Sequence, residues 1–269
     1  MTKEQQAIEK TKNPLSKKTL YECFKKMDLN PSDDIVIHSS LSSLGFVIGG
    51  AQTVVEVIID FFKEGTILMP AHTGDLSDPM FWENPPVKKE WVEDIRTFMP
   101  AFDPYLTPTR GMGKIADVFK SHPLTVRSNH PQTSFCAHGV SKAFYCENHE
   151  LTPMFGLNSP LGRLYQKGGK ILLLGASFSS CSAFHVSEVL SGCVKKVNQG
   201  TSMLQQGVKK WVWFEDYDYD SSDFDDIGNE LLKNDLVKCY DVGLSRSYVM
   251  DVKIVVDFAT KYIRKKRVK

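Results

Sequence analysis

The stretch GGKILLLGAS at residues 168–177 decides the fold that we predict for this chain. Four consecutive apolar residues lie between glycines, which is typical of a short strand that is buried on both faces. The segment CSAFHVSEVLSG at residues 181–192 follows and has the apolar spacing of a helix. A buried strand that leads into a helix is the repeating unit of α/β folds, so this region predicts a central sheet covered by helices.

The same alternation extends in both directions along the chain. Apolar segments predict two further strands at residues 33–40 and 66–74, and WVWFE at residues 211–215 is a candidate fourth. Helical spacing predicts helices at residues 15–29, 49–65, 222–234 and 250–263. We therefore predict one α/β domain over residues 1–269, in which helices flank a central mixed sheet and residues 1–14 and 265–269 are flexible ends.

Composition excludes several classes of protein. The chain is 42% hydrophobic and 24% charged with a formal net charge of +1, whereas nucleic-acid binders usually carry a large basic excess. No apolar run approaches the roughly 20 residues that span a bilayer, and the charged N-terminus lacks the apolar block of a signal peptide, so we expect a cytoplasmic protein. The six cysteines form no CxxC pair, which predicts reduced thiols and no zinc site.

Polar side chains follow each of the three predicted strands. The first group, HSSLSSLG at residues 38–45, precedes a helix that begins near Gly49. Hydroxyls and backbone N–H groups at a helix N-terminus can bind an anion, although a plain polar turn has the same composition. The second group, at residues 70–79, holds His72 and Asp75, which fit either a turn or a cluster that binds a cationic substrate. A metal site built from these two residues and His130 is conceivable, but no spacing supports it, and we predict no metal.

The third group ends in His185 and Glu188, three residues apart on one face of the predicted helix. Such a pair is either an ordinary helix pair or a catalytic base with the carboxylate that orients it. Cys181 lies four residues before His185, which allows a second interpretation of His185 as the partner of a nucleophilic thiol. A Cys–His pair on one helical face could support acyl-enzyme chemistry.

Eight motifs occur in order along the chain: HSSLSSLG, ILMPAHTGDLSDPMFWENPPV, MPAFDPYLTPTRGMG, VRSNHPQTSF, SPLGRLY, ILLLGAS with SAFHVSE, DFDDIG and VVDFATKYI. Together they resemble the aminoglycoside 3-N-acetyltransferase family, over roughly residues 15–264. The resemblance implies a cytosolic enzyme that acetylates an amine on the deoxystreptamine ring of aminoglycoside antibiotics with acetyl-CoA. It also implies a single α/β domain distinct from the common N-acetyltransferase fold.

The resemblance further implies roles for particular residues. His185 would be the general base, Glu188 or another nearby carboxylate its partner, and Ser182 a proton relay, while the loop 177–182 would bind the oxyanion. Acetyl-CoA would contact two segments (Ser39, Ser40, Leu41, Ser42, Ser43 and Gly45; Arg110, Gly111 and Met112), although Arg110 could equally pair with a structural carboxylate. The polycationic antibiotic would contact His72, Asp75 and Glu83. The acidic stretch at residues 215–223 either serves the same purpose or is a solvated loop.

The sequence departs from the family pattern beside the base. The family commonly has asparagine and threonine where this chain has Ser180-Cys181-Ser182, and residues 243–247 also differ modestly. These changes put the identity of the acceptor in doubt. One alternative is an N-acetyltransferase acting on another amino sugar or amino metabolite, and another is a non-catalytic protein that binds CoA or aminoglycosides.

Overall fold

Nine strands and ten helices are present in the computed structural model, which describes residues 3–267. The strands are β1 Asp34–Ser39, β2 Thr66–Pro70, β3 Val126–Arg127, β4 Phe135–Gly139, β5 Lys170–Leu174, β6 Lys196–Gln205, β7 Val208–Tyr217, β8 Lys238–Val242 and β9 Ser245–Asp251. The helices are α1 Lys3–Lys10, α2 Lys17–Lys26, α3 Gly50–Phe61, α4 Val92–Phe98, α5 Lys114–Ser121, α6 Lys142–Cys146, α7 Pro160–Lys167, α8 Ala183–Ser191, α9 Phe224–Lys233 and α10 Val252–Lys266.

Seven of the strands form one mixed sheet in the order β3-β4-β2-β1-β5-β9-β8. Its centre is parallel, because β1 pairs in parallel with both β2 and β5. The flanking strands β4 and β9 run the other way, antiparallel to β2 and β5, and the edge strands β3 and β8 pair antiparallel with β4 and β9 in turn. The carboxyl ends of the three parallel strands therefore lie at the same edge of the sheet, where α/β proteins usually bind ligands.

Side chains of the central strands alternate between two apolar layers, as the period of a strand requires. On β1, Ile35 and Ile37 pack with helices α2, α3 and α5, while Val36 packs with α7 to α10. The strand β5 follows the same rule on both faces, which explains its uninterrupted apolar run. The central strands of the sheet are thus buried between two helical layers.

The predicted fold class is confirmed, with differences in detail. The WVWFE segment is a strand, but it belongs to β7, which pairs only with β6 in a separate two-stranded sheet. The prediction missed the strands β3, β4, β6, β8 and β9 and the helices α1, α4, α5, α6 and α7. The short strand β3 and the mostly exposed strand β8 carry no apolar run that the sequence could reveal.

Both ends that we predict to be flexible, residues 1–14 and 265–269, contain helical residues. Helix α1 occupies residues 3–10, and α10 continues to Lys266, followed by an ordered Arg267 that is paired with two carboxylates. Residues 1–2 and 268–269 lie outside the described part of the chain. No helix between residues 3 and 267 is both long and apolar enough to cross a bilayer.

Candidate active site

The polar residues that follow the three parallel strands meet in one cavity, as the sequence predicts. His38 lies at the end of β1, His72 follows β2 by two residues, and His185 lies on α8 after β5. All three line a cavity of about 410 Å³. Thr133, Met154 and further residues of the connecting loops close it.

The His185 imidazole is bonded to a buried carboxylate on its own helix. His185 Nδ1 lies 2.5 Å from Glu188 Oε2, and the Glu188 side chain is 0% exposed whereas that of His185 is 16% exposed. A carboxylate oxygen accepts, so Nδ1 carries the hydrogen and Nε2 keeps its lone pair. Within residues 3–267, Nε2 has no hydrogen-bond partner, and the imidazole borders the cavity.

The second oxygen of Glu188 is held by groups outside α8. Glu188 Oε1 accepts from the Asp220 backbone N–H at 2.9 Å and from the Arg267 guanidinium. Arg267 also pairs with Asp223. Each oxygen of this fully buried carboxylate therefore has a donor, as a buried charge requires.

Three aromatic rings enclose the His185 imidazole. Phe155 stacks on it at 4.7 Å between ring centroids, Phe224 lies at 4.8 Å, and Tyr219 approaches edge-on at 5.3 Å. The Tyr219 hydroxyl bonds the buried Asp216, which also accepts from the Met154 backbone N–H. These contacts limit the motion of the ring and shield the His–Glu hydrogen bond from water.

The other two imidazoles of the cavity are held in the neutral form. Burial, together with a smaller contribution from the nearby His185, lowers the pKa of His38 to about 4 and that of His72 to about 3. The Nε2 atoms of both rings are buried without a hydrogen-bond partner in the described chain.

A larger cavity of about 880 Å³ adjoins the first and shares Ser39, Gly111, Met112 and Ser180 with it. The predicted cofactor residues Ser39, Ser40, Leu41, Ser42, Ser43, Gly45, Gly111 and Met112 all line this larger cavity. Lys114, at the start of α5, adds a positive charge that sequence reasoning missed. Helix α1 contributes Ala7 to the opposite wall.

Three predicted contacts lie elsewhere. Arg110 forms an ion pair with Asp75 and donates to the Asn84 carbonyl at 2.6 Å, so it lines neither of the two adjoining cavities. The ion pair also compensates the charge of Asp75. Glu83 lines a separate depression together with Arg110. Of the predicted substrate residues, the structure places only His72 at the cavity beside His185.

The loop between β5 and α8 offers fewer free donors than expected. The backbone N–H groups of Ser179, Ser180 and Cys181 already bond within the protein. The Ser182 hydroxyl lines the cavity beside His185 and has no hydrogen-bond partner within residues 3–267. Ser182 is therefore one donor that this loop can offer to an oxyanion, and the Ser180 hydroxyl, which lines both cavities, is another.

The structure argues against Cys181 as a nucleophile. Its side chain is 0% exposed and lies in the apolar layer beneath α8. Burial raises the pKa of the thiol to about 12, so the reactive thiolate is disfavoured. The thiol acts as a small apolar group in the core.

The acidic stretch at residues 215–223 has two parts. Asp216 is buried, whereas Asp218 and Asp220 are exposed in the loop that follows β7. The residues that sequence reasoning missed are mostly tied to this loop: Arg267, Phe155 and the Asp220 backbone N–H. Within residues 3–267, no group of three or more histidine, cysteine, aspartate or glutamate side chains is arranged to hold a metal ion.

Comparison with known proteins gives consistent results. The sequence model of the aminoglycoside 3-N-acetyltransferase family matches residues 36–264. The chain is 38% identical over 257 residues to the SPbeta prophage-derived aminoglycoside N(3')-acetyltransferase-like protein YokD of Bacillus subtilis (strain 168), covering 95% of this chain and 94% of that protein. The crystal structure of YokD superposes with a TM-score of 0.95 at 37% identity and covers 97% of this chain and 98% of that one. The crystal structure of aminoglycoside acetyltransferase AAC(3)-Xa superposes with a TM-score of 0.89 at 28% identity and covers 98% of both chains.

Proposed function

Because the chain belongs to the aminoglycoside 3-N-acetyltransferase family, we propose that it transfers the acetyl group of acetyl-CoA to the 3-amino group of the deoxystreptamine ring of an aminoglycoside antibiotic. Enzymes of this family are acyltransferases, and acetyl-CoA is their co-substrate. A cytoplasmic location is part of the same proposal.

The observation that carries the proposal is the orientation of His185. Its Nδ1–H is directed to the buried Glu188 carboxylate, and its Nε2 lone pair is left for a group in the cavity. A neutral imidazole with a free nitrogen lone pair is a suitable general base to take a proton from an amine. The carboxylate fixes the tautomer and stabilises the imidazolium that results.

The reaction needs no covalent enzyme intermediate. The amine lone pair attacks the thioester carbonyl, the C–N bond forms, and His185 Nε2 takes the proton that the nitrogen loses. The oxyanion of the tetrahedral intermediate accepts a hydrogen bond from Ser182. The C–S bond then breaks, and the imidazolium returns the proton to the leaving thiolate of CoA.

The two adjoining cavities suit two substrates that must meet. The larger one is lined by serines and by glycines at positive φ, Gly45 and Gly111, which allow close approach to the backbone. It would hold the pantetheine and phosphates of CoA, with the thioester at the shared wall formed by Ser39 and Ser180. The smaller cavity would receive the amine beside His185.

The test is release of CoA, followed with a thiol reagent, from acetyl-CoA and a panel of gentamicin-, kanamycin- and apramycin-type compounds. Product mapping by NMR would identify the acetylated amine. Turnover with an aminoglycoside and loss of turnover in His185→Gln are expected. If acetyl-CoA binds but no amine of any class is acetylated, the protein is a non-catalytic binder and the proposal fails.

A second acceptor is favoured by one observation on the smaller cavity. None of its lining residues in the described chain is an aspartate or glutamate. A polycationic antibiotic usually requires acidic walls, whereas a monoamine such as an amino sugar does not. Glucosamine-type amines therefore belong in the same panel, and turnover with these alone would replace the antibiotic by an amino metabolite.

A further inference from the structure

We propose that Arg267 is a positioning residue of the His185–Glu188 dyad. It fixes the buried carboxylate so that one oxygen faces the imidazole, and it joins the loop at residues 218–223 to the end of α10. The inference rests on the proposed function of His185 as the base. Arg267 lies beyond residue 264, the last residue of the family match.

The two carboxylate oxygens of Glu188 accept hydrogen bonds from different groups. Oε1 accepts from the Arg267 guanidinium and from the Asp220 backbone N–H, which leaves Oε2 for His185 Nδ1. Without the guanidinium, Oε1 keeps a single neutral donor, and rotation of the carboxylate is less restricted. The angle and strength of the His–Glu hydrogen bond thus depend on a residue 79 positions after Glu188 along the chain.

Arg267 is itself held on several sides. Its Nε donates to Asp223 Oδ2 at 2.9 Å, a second nitrogen pairs with Asp223 Oδ1, and Nη2 donates to the Asp220 carbonyl at 2.8 Å. The side chain is 18% exposed. A planar guanidinium that bonds two carboxylates and a carbonyl is a fixed element, and lysine cannot reproduce this geometry.

The positive charge of Arg267 has a second effect on the His185–Glu188 dyad. Glu188 and Asp223 together carry two negative charges, and Arg267 balances one of them. The dyad also faces Asp220, the neutral imidazoles of His38 and His72, and the Tyr219 ring. Loss of the guanidinium leaves a stronger negative field at the imidazole, which favours its protonated form. A base that stays protonated to a higher pH is less effective near neutrality.

Arg267→Met and Arg267→Lys test the proposal, with Arg264→Met as the matched control. Arg264 lies on α10, three residues before Arg267, and also bonds α8, where its partners are the carbonyls of Leu190 and Ser191. We expect Arg267→Met to lower kcat about 10- to 100-fold with KM for acetyl-CoA little changed, because a lost orienting partner impairs general-base catalysis. The acid limb of the kcat/KM profile should move up by about one pH unit. Arg267→Lys should recover part of the loss, and Arg264→Met should keep the wild-type profile.

A titration of the His185 ring nitrogens by ¹⁵N NMR gives a readout that does not require turnover. In wild type the Nδ1–H tautomer should dominate in the neutral ring, and in Arg267→Met the ring should lose its proton at a higher pH than in wild type. An unchanged titration and tautomer in a folded Arg267→Met protein would overturn the inference. So would an equal loss of kcat in Arg264→Met and Arg267→Met at unchanged pH profiles. If the wild-type enzyme acetylates no amine, the proposed function fails separately, and the NMR result still decides the positioning role.

Discussion

Replacing Glu188 with glutamine removes one charge and keeps nearly the same shape, so it tests the dyad with little loss of packing. In the native site, one oxygen accepts from His185, and the other accepts from Asp220 N–H and Arg267. Glutamine has a single oxygen, which can serve only one side. The glutamine oxygen should turn toward its two hydrogen-bond donors, Arg267 and the Asp220 N–H. The glutamine NH₂ group then faces His185 Nδ1. That contact favours the tautomer with hydrogen on Nε2, which cannot take a proton from the amine.

The expected loss follows from the charge and from the tautomer. Two unit charges about 4 Å apart interact by about 4 kcal/mol at an effective dielectric constant of 20, and this attraction to the imidazolium disappears in Glu188→Gln. At 1.36 kcal/mol per factor of ten, the loss corresponds to about 10³ in kcat. A wrong tautomer in a comparable His–carboxylate pair costs about 10⁴. We therefore expect kcat to fall by about 10³- to 10⁴-fold.

The assay is CoA release at saturating acetyl-CoA and acceptor, together with circular dichroism to verify folding. KM for acetyl-CoA should change little, because Glu188 does not line the larger cavity. Glu230→Gln is the matched control, since Glu230 lies on α9 and pairs only with Lys233 among charged side chains. A folded Glu188→Gln enzyme with kcat within fivefold of wild type would show that the carboxylate does not support a general base.

Three further predictions concern the cavities and the core. Ser42→Tyr places a ring in the larger cavity and should raise KM for acetyl-CoA about tenfold, a loss of about 1.4 kcal/mol in binding. Ile48 lies outside that cavity, so Ile48→Tyr should leave KM for acetyl-CoA unchanged. An equal rise of KM in both variants would show that the cofactor binds elsewhere. Gly228→Ala puts a methyl group 2.0 Å from Phe178 Cγ and should cost about 1–3 kcal/mol in urea unfolding, whereas Gly74→Ala meets open space and should be neutral. His38 has a folded pKa of about 4, below its unfolded value of about 6.5, so its unfolded form binds more protons between these values and stability falls as pH is lowered through this window. This residue alone should remove about 2 kcal/mol between pH 7 and pH 5, and a His38→Asn protein whose urea midpoint falls as steeply with pH as that of wild type would contradict the neutral assignment.

The parts of the site that follow from strand direction could be predicted from the sequence. His38 lies at the end of one strand with a clear apolar run, and His72 and His185 follow two others, while parallel strands bring their carboxyl ends to one edge. For these histidines a local pattern and one rule of topology determine which residues come together. The assignment of Ser39 to Gly45 to the cofactor comes from the family resemblance, because strand direction alone leaves this segment open between an anion site and a polar turn.

Pairings between distant charged residues could not be predicted in this way. Arg110 and Asp75 both stand in motifs that suggested binding, yet they pair with each other. Glu188 and Arg267 are 79 residues apart, and no local period relates them. The edge strand β8 was missed for a related reason, because four of its five residues are not buried and its pattern carries no apolar signal.

The distribution of negative charge around the smaller cavity suggests how each of the two candidate acceptors would bind. The cavity wall beside His185 holds neutral imidazoles and hydroxyls, but exposed carboxylates lie just outside it. Asp225 accepts from the backbone of Ser179, which lines the cavity, and Asp220 is adjacent to Ser221, which lines it too. An aminoglycoside would therefore insert one amine and leave its other ammonium groups at this acidic rim, where charge attraction is strongest. An amino sugar would need only the neutral cavity, so dependence of KM on Asp220 and Asp225 distinguishes a polycationic acceptor from a monoamine.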